Sequence, residues 1–379
     1  MRQATMTVDE QIAYLRDSKG VTFDLVDEDY ARRFLEEKNY FFKVKAFAKN
    51  YPKVATEEMP KGVYKTLDFG HLVELSKLDK CLRDLVLNLT LDIEHYLKVR
   101  TNGAAMRSGV NPYELTERYF VAAAANVVTD QKNRFSIEQA TQAFSEVAET
   151  VNALPPNAAE NPEVLVDVAN SITKSLELIT KGSKPEYARD SIAAMKGSAY
   201  SGDLVEKYQG RDMPYWCLME LMSFGQVIAF YKACFKKDGL IDDAVEIQFC
   251  KSVKNLLRHA QQLRNAAAHG DCLLNGLAAY SKSPSMSGVR RALADFGIAE
   301  ADYSDVKSVQ VAMDLAAILL CYDLLIPEGS TRQAAVQILK DSASRMLCHR
   351  DWFESNYSVK SFLDFFEMVS AKFVKALDG

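Results

Sequence analysis

The sequence predicts an all-α protein, and three observations lead to that class. Apolar residues recur at steps of three and four over long stretches, which is the period of a helix with one buried face. The two-residue alternation that is typical of strands is hard to find anywhere. The composition is that of a globular protein, with 48% hydrophobic and 26% charged residues in a chain of 379. This length corresponds to two or three average domains, although one elongated helical body would also accommodate it.

Three apolar stripes define the helices that the sequence predicts most clearly. The first predicts a helix over roughly residues 70–106 and consists of Leu75, Leu78, Leu82, Leu85, Leu89, Ile93 and Tyr96. The second consists of Phe249, Val253, Leu256, Ala260, Leu263 and Ala267, and the third runs from Val311 to Leu325 and ends at Pro327. Further helices are expected at about 8–17, 28–50, 135–153, 163–180, 214–236, 330–347 and 358–376.

Changes in composition divide the chain into three regions. Residues 1–69 form an aromatic and basic N-terminal helical region, and across 31–65 nine Lys and Arg stand against four Glu, a local net charge of +5. Residues 70–275 are expected to form the helical core, in which 120–205 is interpreted as an insertion because it is rich in Ala and Asn and is interrupted by prolines. Residues 276–379 form a C-terminal helical region that begins with a Ser- and Gly-rich loop.

The charge balance and the cysteines restrict the class of function. The formal net charge is −5 and the pI is near 5.7, so contact with nucleic acid would have to come from a local basic patch. The seven cysteines are scattered, which suits a reducing cytosol, and no His, Cys or carboxylate cluster has metal-ligand spacing. The first residues lack the apolar core of a signal peptide, and the most apolar stretch carries two aspartates. We therefore expect a cytoplasmic protein with no membrane contact and no cofactor.

The sharpest candidate for chemistry is the segment LRNAAAHGDCLLN, residues 263–275. The three alanines between Asn265 and His269 keep the surface around an Arg, an Asn and a His open, and Gly270 is a plausible helix C-cap. The negative end of the helix dipole would favour the imidazolium form of His269. A guanidinium binds phosphate oxygens with its fork, and an imidazole moves a proton near neutral pH. Arg264 and His269 together therefore suit a phosphodiester.

The spacing of these two residues limits how they could cooperate. On an ideal helix, five positions amount to about 140° of rotation, so Arg264 lies beside the apolar face while His269 lies on a polar stripe. That stripe consists of Lys251, Asn255, Arg258, Gln262, Asn265 and His269. The two groups can meet at one phosphate if the helix ends or bends between them, or if a second subunit completes the site. A capping or ion-pair role would also explain the pattern.

Several segments, taken in order, resemble one protein family. LRNAAAHGDCLLN is similar to the Arg-Asn-x-x-x-His motif of HEPN domains, and the chain as a whole resembles the Abi-like abortive-infection proteins of bacteria. The other matching pieces are NYFFKVKAF at 39–47, with Asn39 where the family usually has Gly, the long segment 64–100 with its Ile-Glu pair, NPYEL at 111–115, and MPYWCLMELMSFGQVIAFYKAC at 213–234. Residues 120–200 match least well. The resemblance implies an all-α, HEPN-like helical bundle with N-terminal, inserted and C-terminal helical additions.

The resemblance also implies a function and assigns residues to it. It implies a metal-independent endoribonuclease of a phage-defence or toxin-like system, which acts as a homodimer on RNA. An RNA or protein antitoxin is the further partner that such a system allows. Arg264 would stabilise the charge on phosphorus, His269 would act as general acid or base, and Asn265 would orient His269 or the phosphate. The candidate substrate-binding residues are Arg258 and Lys251 on the polar stripe, Asn275, and Glu94 and Arg100 on the first long helix.

Alternatives remain open at several of these positions. Glu94 could instead pair with Lys98, with Arg100 exposed at the helix end. The aromatic and basic block Tyr40–Phe47 could stack single-stranded RNA, or could bury its rings and leave its lysines outside. The whole chain could be an RNA-binding module that grips phosphates without cleaving them, or a structural or regulatory helical protein whose dimer interface is its main purpose.

Overall fold

The computed structural model describes residues 6–54, 62–129, 200–208, 213–278 and 286–378. Within these ranges the regular secondary structure is helical, and the only β-type pairings are two isolated bridges, Thr22 with Asp68 and Lys53 with Tyr64. The predicted all-α class is therefore confirmed. The helices predicted at 135–153 and 163–180 lie outside the described residues.

Thirteen α-helices are present in the described ranges. They are α1 Val8–Ala13, α2 Glu28–Glu37, α3 Phe41–Ala46, α4 Phe69–Arg107, α5 Pro112–Thr129, α6 Gly202–Tyr208, α7 Tyr215–Leu221, α8 Phe224–Phe235, α9 Ala244–Ala268, α10 Ser287–Asp295, α11 Gln310–Leu325, α12 Ser330–Leu347 and α13 Tyr357–Asp378. A π-helical turn, Tyr14–Ser18, continues α1, and a 3-10 turn, Phe47–Asn50, continues α3.

Two of the helices predicted from the sequence are each divided into two. The helix expected at 28–50 breaks before α3, where Tyr40 is extended and the Asn39 side chain donates to Ser76 Oγ at 2.8 Å. The helix expected at 214–236 breaks at Ser223, whose backbone N–H donates to the Gln226 side chain at 2.7 Å. The first break thus coincides with a side-chain bond to a neighbouring helix, and the second with a side chain that caps the start of the next helix.

The described residues fall into two compact units. The first is drawn from Met1–Tyr96 and Ser252–Gly379, and the second from Leu97–Lys251. In the first unit α11 is buried around almost its whole circumference, and α10 and α13 pack against it. In the second unit α7 and α8 pack against α5. The first unit contains residues of all three regions that the composition suggested, and the boundaries of those regions stay a prediction.

A buried histidine links the start of α4 to the C-terminal part of the first unit. The His71 ring stacks on Tyr51, with 5.5 Å between ring centroids, and lies 5.7 Å from the ring of Phe353. Its Nδ1 accepts the backbone N–H of Asp68 at 3.2 Å, and the ring also bonds to the backbone of Trp352. Burial lowers the pKa of His71, because an imidazolium would lose its solvation, and the nearby Asp68 carboxylate opposes this shift only in part.

The lowered pKa of His71 predicts that the fold loses stability in mild acid. Because the pKa of His71 is lowered in the folded state, the unfolded chain binds the proton first, and the free energy of unfolding falls as the pH drops below about 6.5. Urea unfolding at pH 7.5 and pH 5.5 measures this difference. The His71→Gln variant should be less stable at pH 7.5 and should show a smaller drop between the two values. An equal drop in both proteins would show that His71 is not the group responsible.

Candidate functional site

The segment that carries Arg264 and His269 lies at the C-terminal end of α9, where backbone hydrogen bonds end the helix. The helix ends at Ala268, and Gly270 has a φ of +71°. The Gly270 N–H donates to the Ala267 carbonyl at 3.1 Å, and the Asp271 N–H donates to the Ala266 carbonyl at 2.9 Å. This pair of bonds is the Schellman motif, in which glycine takes the left-handed conformation at lowest cost. The expected Gly270 cap is confirmed, and it fixes the backbone beside His269.

His269 and Arg264 both reach solvent, in different positions on the helix. His269 is exposed, whereas Arg264 and Asn265 are half-buried. The His269 N–H still donates to the Asn265 carbonyl at 2.9 Å, so its backbone follows the helical path although the helix ends one residue earlier. The rotation of about 140° between positions 264 and 269 therefore persists. Arg264 Nη1 lies 3.4 Å from the Asn265 Oδ1, which places the guanidinium and the amide side by side.

The chain that follows His269 is held by a buried carboxylate on α4. Asp79 is fully buried, pairs with Arg83, and accepts the backbone N–H of Leu274 at 2.9 Å. Arg83 also donates to the carbonyl of Asp271 at 3.5 Å. Burial raises the pKa of Asp79, while the backbone N–H groups and the nearby cations oppose that rise. Removal of this carboxylate would leave a buried N–H and a largely buried guanidinium without their main partner.

The aromatic and basic block of the N-terminal region packs against the same loop. The Lys43 Nζ donates to the Gly270 carbonyl at 2.8 Å, next to His269. Further along, the Asn50 side chain donates to the Leu274 carbonyl and accepts the Leu277 N–H, each at 2.7 Å. The segment around NYFFKVKAF and the segment LRNAAAHGDCLLN are therefore in contact, although more than 200 positions separate them in the sequence.

Four residues that hold this loop were not predicted from the sequence: Lys43, Asn50, Asp79 and Arg83. One signal for Asp79 was present, because it stands four positions after Leu75 and three before Leu82 and so belongs to the buried face of α4. A carboxylate on such a face needs partners. Nothing in the sequence indicated that these partners would come from the loop after α9.

The other residues of the polar stripe vary in exposure. Lys251 and Asn255 are exposed, and Arg258 is half-buried with an Nε that has no hydrogen-bond partner. Lys251 belongs to the second unit, whereas Arg258, Asn275 and Glu94 belong to the first. Asn275 and Glu94 are half-buried. A role for these residues in binding a substrate stays a prediction.

Arg100 has a well-defined partner inside the second unit. Its guanidinium makes two hydrogen bonds to the carboxylate of Glu246, at 2.8 and 2.9 Å, and lies 3.7 Å over the ring of Phe249. The hydroxyl of Tyr231 donates to the same carboxylate at 2.5 Å. Glu246 is 2% exposed, so the arginine and the tyrosine supply the partners that a buried carboxylate requires. This pairing accounts for Arg100 structurally, and a role beside His269 stays a prediction.

A second histidine on α9 is packed in the core of the first unit. His259 is 1% exposed, and its Nδ1 lies 2.6 Å from the carboxylate of Asp314 on α11. Gln310 donates to the same carboxylate at 2.6 Å. The polar groups of His259 and Asp314 are therefore used inside the core, in contrast to the exposed imidazole of His269 at the end of the same helix.

Neither a metal centre nor a membrane-spanning helix is found in the described part of the chain. No group of three or more His, Cys, Asp or Glu side chains within the described ranges is placed to hold a metal ion. None of the helices described there is long and apolar enough to cross a bilayer.

Comparison with known protein families gives a match over most of the first 275 residues. The family model described as "Abi-like protein" matches residues 33–275, which is more than half of the chain and includes both α3 and the complete segment LRNAAAHGDCLLN. No curated protein and no solved structure matches the chain. The extent of the family match shows that this chain belongs to the Abi-like protein family.

Proposed function

We propose that this protein is a metal-independent endoribonuclease of the HEPN type, which acts in abortive infection or in a related toxin-like system. Membership of the Abi-like family fits an abortive-infection role. The observation that carries the enzymatic part is the exposed His269 imidazole at a helix end closed by a Schellman motif, with Arg264 and Asn265 within two turns of the same helix. An imidazole and a guanidinium that reach the same phosphate are a suitable pair for acid–base chemistry on a phosphodiester.

The proposed reaction uses only groups of the RNA and of this chain. The 2′-OH of one ribose attacks the adjacent phosphorus, and its proton passes to an imidazole that acts as a base. The bond from phosphorus to the 5′-oxygen of the next nucleotide breaks, and that oxygen takes up the proton that the imidazolium then holds. The products are a 2′,3′-cyclic phosphate and a 5′-hydroxyl. Arg264 would stabilise the additional negative charge on the phosphate oxygens. Because the Asn265 side chain lies beside the Arg264 guanidinium, Asn265 would position that guanidinium or the phosphate rather than His269.

The geometry of α9 favours a site completed by two copies of the chain. Arg264 and His269 of one chain are rotated by about 140° from each other, so they reach solvent on different sides of the helix. A two-fold axis close to the end of α9 would bring Arg264 of one subunit towards His269 of the other. In such a homodimer a single phosphate could contact both groups, and two equivalent sites would form.

Purified protein incubated with total RNA in EDTA tests this proposal. We expect RNA fragments with 2′,3′-cyclic phosphate ends, which an RNA ligase specific for such ends can detect. EDTA should leave the rate unchanged, because the nucleophile and the proton carriers need no metal. Intact RNA after long incubation at high protein concentration, with no new cyclic ends, would refute cleavage.

The divergence of Arg264 and His269 also favours a second candidate function, an RNA-binding module without cleavage. A single chain in which Arg264 and His269 point to different sides of the helix could bind separate phosphates of one strand. In that case RNA would migrate more slowly and remain intact, and its binding would weaken as salt increases. The EDTA experiment separates the two functions, because only the enzyme produces new RNA ends.

A further inference from the structure

The segment from Lys38 to Val54 has an unusual composition for a chain with a net charge of −5. It contains five lysines, five aromatic residues and no Asp or Glu. Such a segment attracts a polyanion and offers rings to it, and single-stranded RNA presents both phosphates and unpaired bases. The combination of positive charge and exposed rings therefore favours single-stranded RNA as the partner of this segment.

The rings of this segment divide into an inner and an outer set. Phe47 and Tyr51 are buried, and Phe41 packs edge-on against Tyr14. By contrast, Phe42 is 79% exposed and Tyr40 is 62% exposed. The inner rings therefore hold α3 in the first unit, whereas the outer rings make little contribution to the core.

The segment that carries the outer rings is attached to the end of α9. Phe42 immediately precedes Lys43, whose Nζ donates to the carbonyl of Gly270 at 2.8 Å, and Gly270 immediately follows the exposed His269. The sulfhydryl of Cys272 lies 3.7 Å from the Lys43 carbonyl, so side-chain and backbone contacts both attach α3 to this loop. The exposed rings and the exposed imidazole are thus carried by two segments that are fixed to each other.

We propose that Phe42 and Tyr40 form a base-stacking platform that holds the bases of single-stranded RNA beside His269. This inference rests on the proposed action on RNA and names the form of the substrate, because only unpaired bases can expose a face to these rings. The exposed Lys49 adds positive charge to the same segment for the phosphates. Stacking on a ring tolerates any base, so the platform gives affinity and position rather than sequence recognition.

The test measures binding separately from cleavage. In a His269→Ala background, which should keep the RNA intact, a fluorescently labelled 12-nucleotide oligo(U) is titrated and its anisotropy is recorded. Phe42→Ala should weaken binding by about 10-fold, within the range of about 5- to 150-fold that the loss of one stacked base produces. Phe42→Trp should bind at least as tightly as the parent. Since Phe42 is largely exposed, neither substitution should disturb folding.

Matched controls distinguish stacking from a general effect. Tyr357→Ala removes another exposed ring of the first unit, one outside the 38–54 segment, and should leave binding unchanged. An abasic oligonucleotide of equal length should bind the parent and the Phe42→Ala protein equally, because it has phosphates but no bases that could stack on Phe42. A base-paired duplex should also bind both proteins equally.

The outcomes separate failure of the platform from failure of the proposed function. Equal affinity of the parent and the Phe42→Ala protein for oligo(U), or no binding by the parent, overturns the platform, and the exposed rings would then be free to dock a protein. If Phe42→Ala weakens binding but the wild-type protein never cleaves RNA, the platform stands and the enzymatic proposal fails. If the wild-type protein cleaves RNA and Phe42→Ala changes neither binding nor rate, the platform proposal fails and the enzymatic proposal stands.

Discussion

Replacing His269 by alanine is expected to lower the rate of RNA cleavage by about 10²- to 10⁴-fold, which is the usual contribution of a general acid or base. The side chain is exposed at the end of α9, and the Schellman turn beside it is made by backbone groups. The substitution should therefore leave the fold and the melting temperature nearly unchanged. Single-turnover cleavage of a short labelled RNA measures the rate, and expression in a bacterial host shows whether toxicity disappears with it.

His95→Ala is the matched control for this experiment. His95 is also exposed in the first unit, but it lies on α4 and its ring contacts the neighbouring Tyr96. Like His269→Ala, this substitution replaces one exposed imidazole by a methyl group. We expect a cleavage rate within about two-fold of wild type, because surface substitutions away from a site have small effects. If the His269→Ala protein cleaved RNA at the wild-type rate, His269 would have no role in the reaction.

Mixing two inactive variants tests whether the site is shared between subunits. If Arg264 of one subunit and His269 of the other act on one phosphate, a mixed dimer of Arg264→Ala and His269→Ala chains contains one intact site and one doubly altered site. After exchange of subunits, about half of the dimers are mixed, so activity should recover to about a quarter of wild type. No recovery, in dimers shown to have exchanged, would mean that both groups act within one chain.

Replacing Asp79 by alanine is expected to lower the free energy of unfolding by about 3–5 kcal/mol, which is typical when one partner of a buried ion pair is removed. Asp79 is fully buried, and its removal leaves Arg83 without its carboxylate and the Leu274 N–H without its acceptor. Denaturant unfolding measures the loss. Cleavage should also fall at temperatures where the variant is still folded, because the loop after His269 loses its main attachment to α4.

Two further substitutions show whether this effect comes from the buried contacts. Asp79→Asn keeps an acceptor for the Leu274 N–H but provides no charge for Arg83. Its free energy of unfolding should therefore lie between those of the wild type and of Asp79→Ala. Asp84→Asn alters an exposed carboxylate on the same helix, paired with Lys80, and should cost at most about 1 kcal/mol. If all three variants had the same stability, Asp79 would not anchor the loop.

Local patterns were sufficient to predict the long helices and the end of α9. The stripe at 70–106 corresponds to α4, Phe69–Arg107, because a side chain every three or four residues must lie on one buried face. The third stripe corresponds to α11, Gln310–Leu325, which ends just before Pro327. Gly270 indicated a helix end because only glycine adopts the left-handed conformation at little cost.

Contacts between distant segments could not be predicted in the same way. The Asn39 side chain binds Ser76, His259 binds Asp314, and Arg100 binds Glu246, and each pair is separated by tens of residues or more. A polar residue on an apolar face shows that a partner is needed, but many residues of the right type are available. Which of them is near depends on how the helices pack.

The sequence by itself determined that this chain is helical, where its principal helices lie, and that Arg264, Asn265 and His269 come at the end of one of them. Periodicity and glycine conformation are local properties, so they can be recognised in any single stretch of chain. Only the tertiary structure decided that Lys43 and Asp79 hold the loop beside His269 and that Phe42 stays exposed nearby. Burial and hydrogen bonding between remote segments depend on the complete set of packed helices, and no local pattern contains that information.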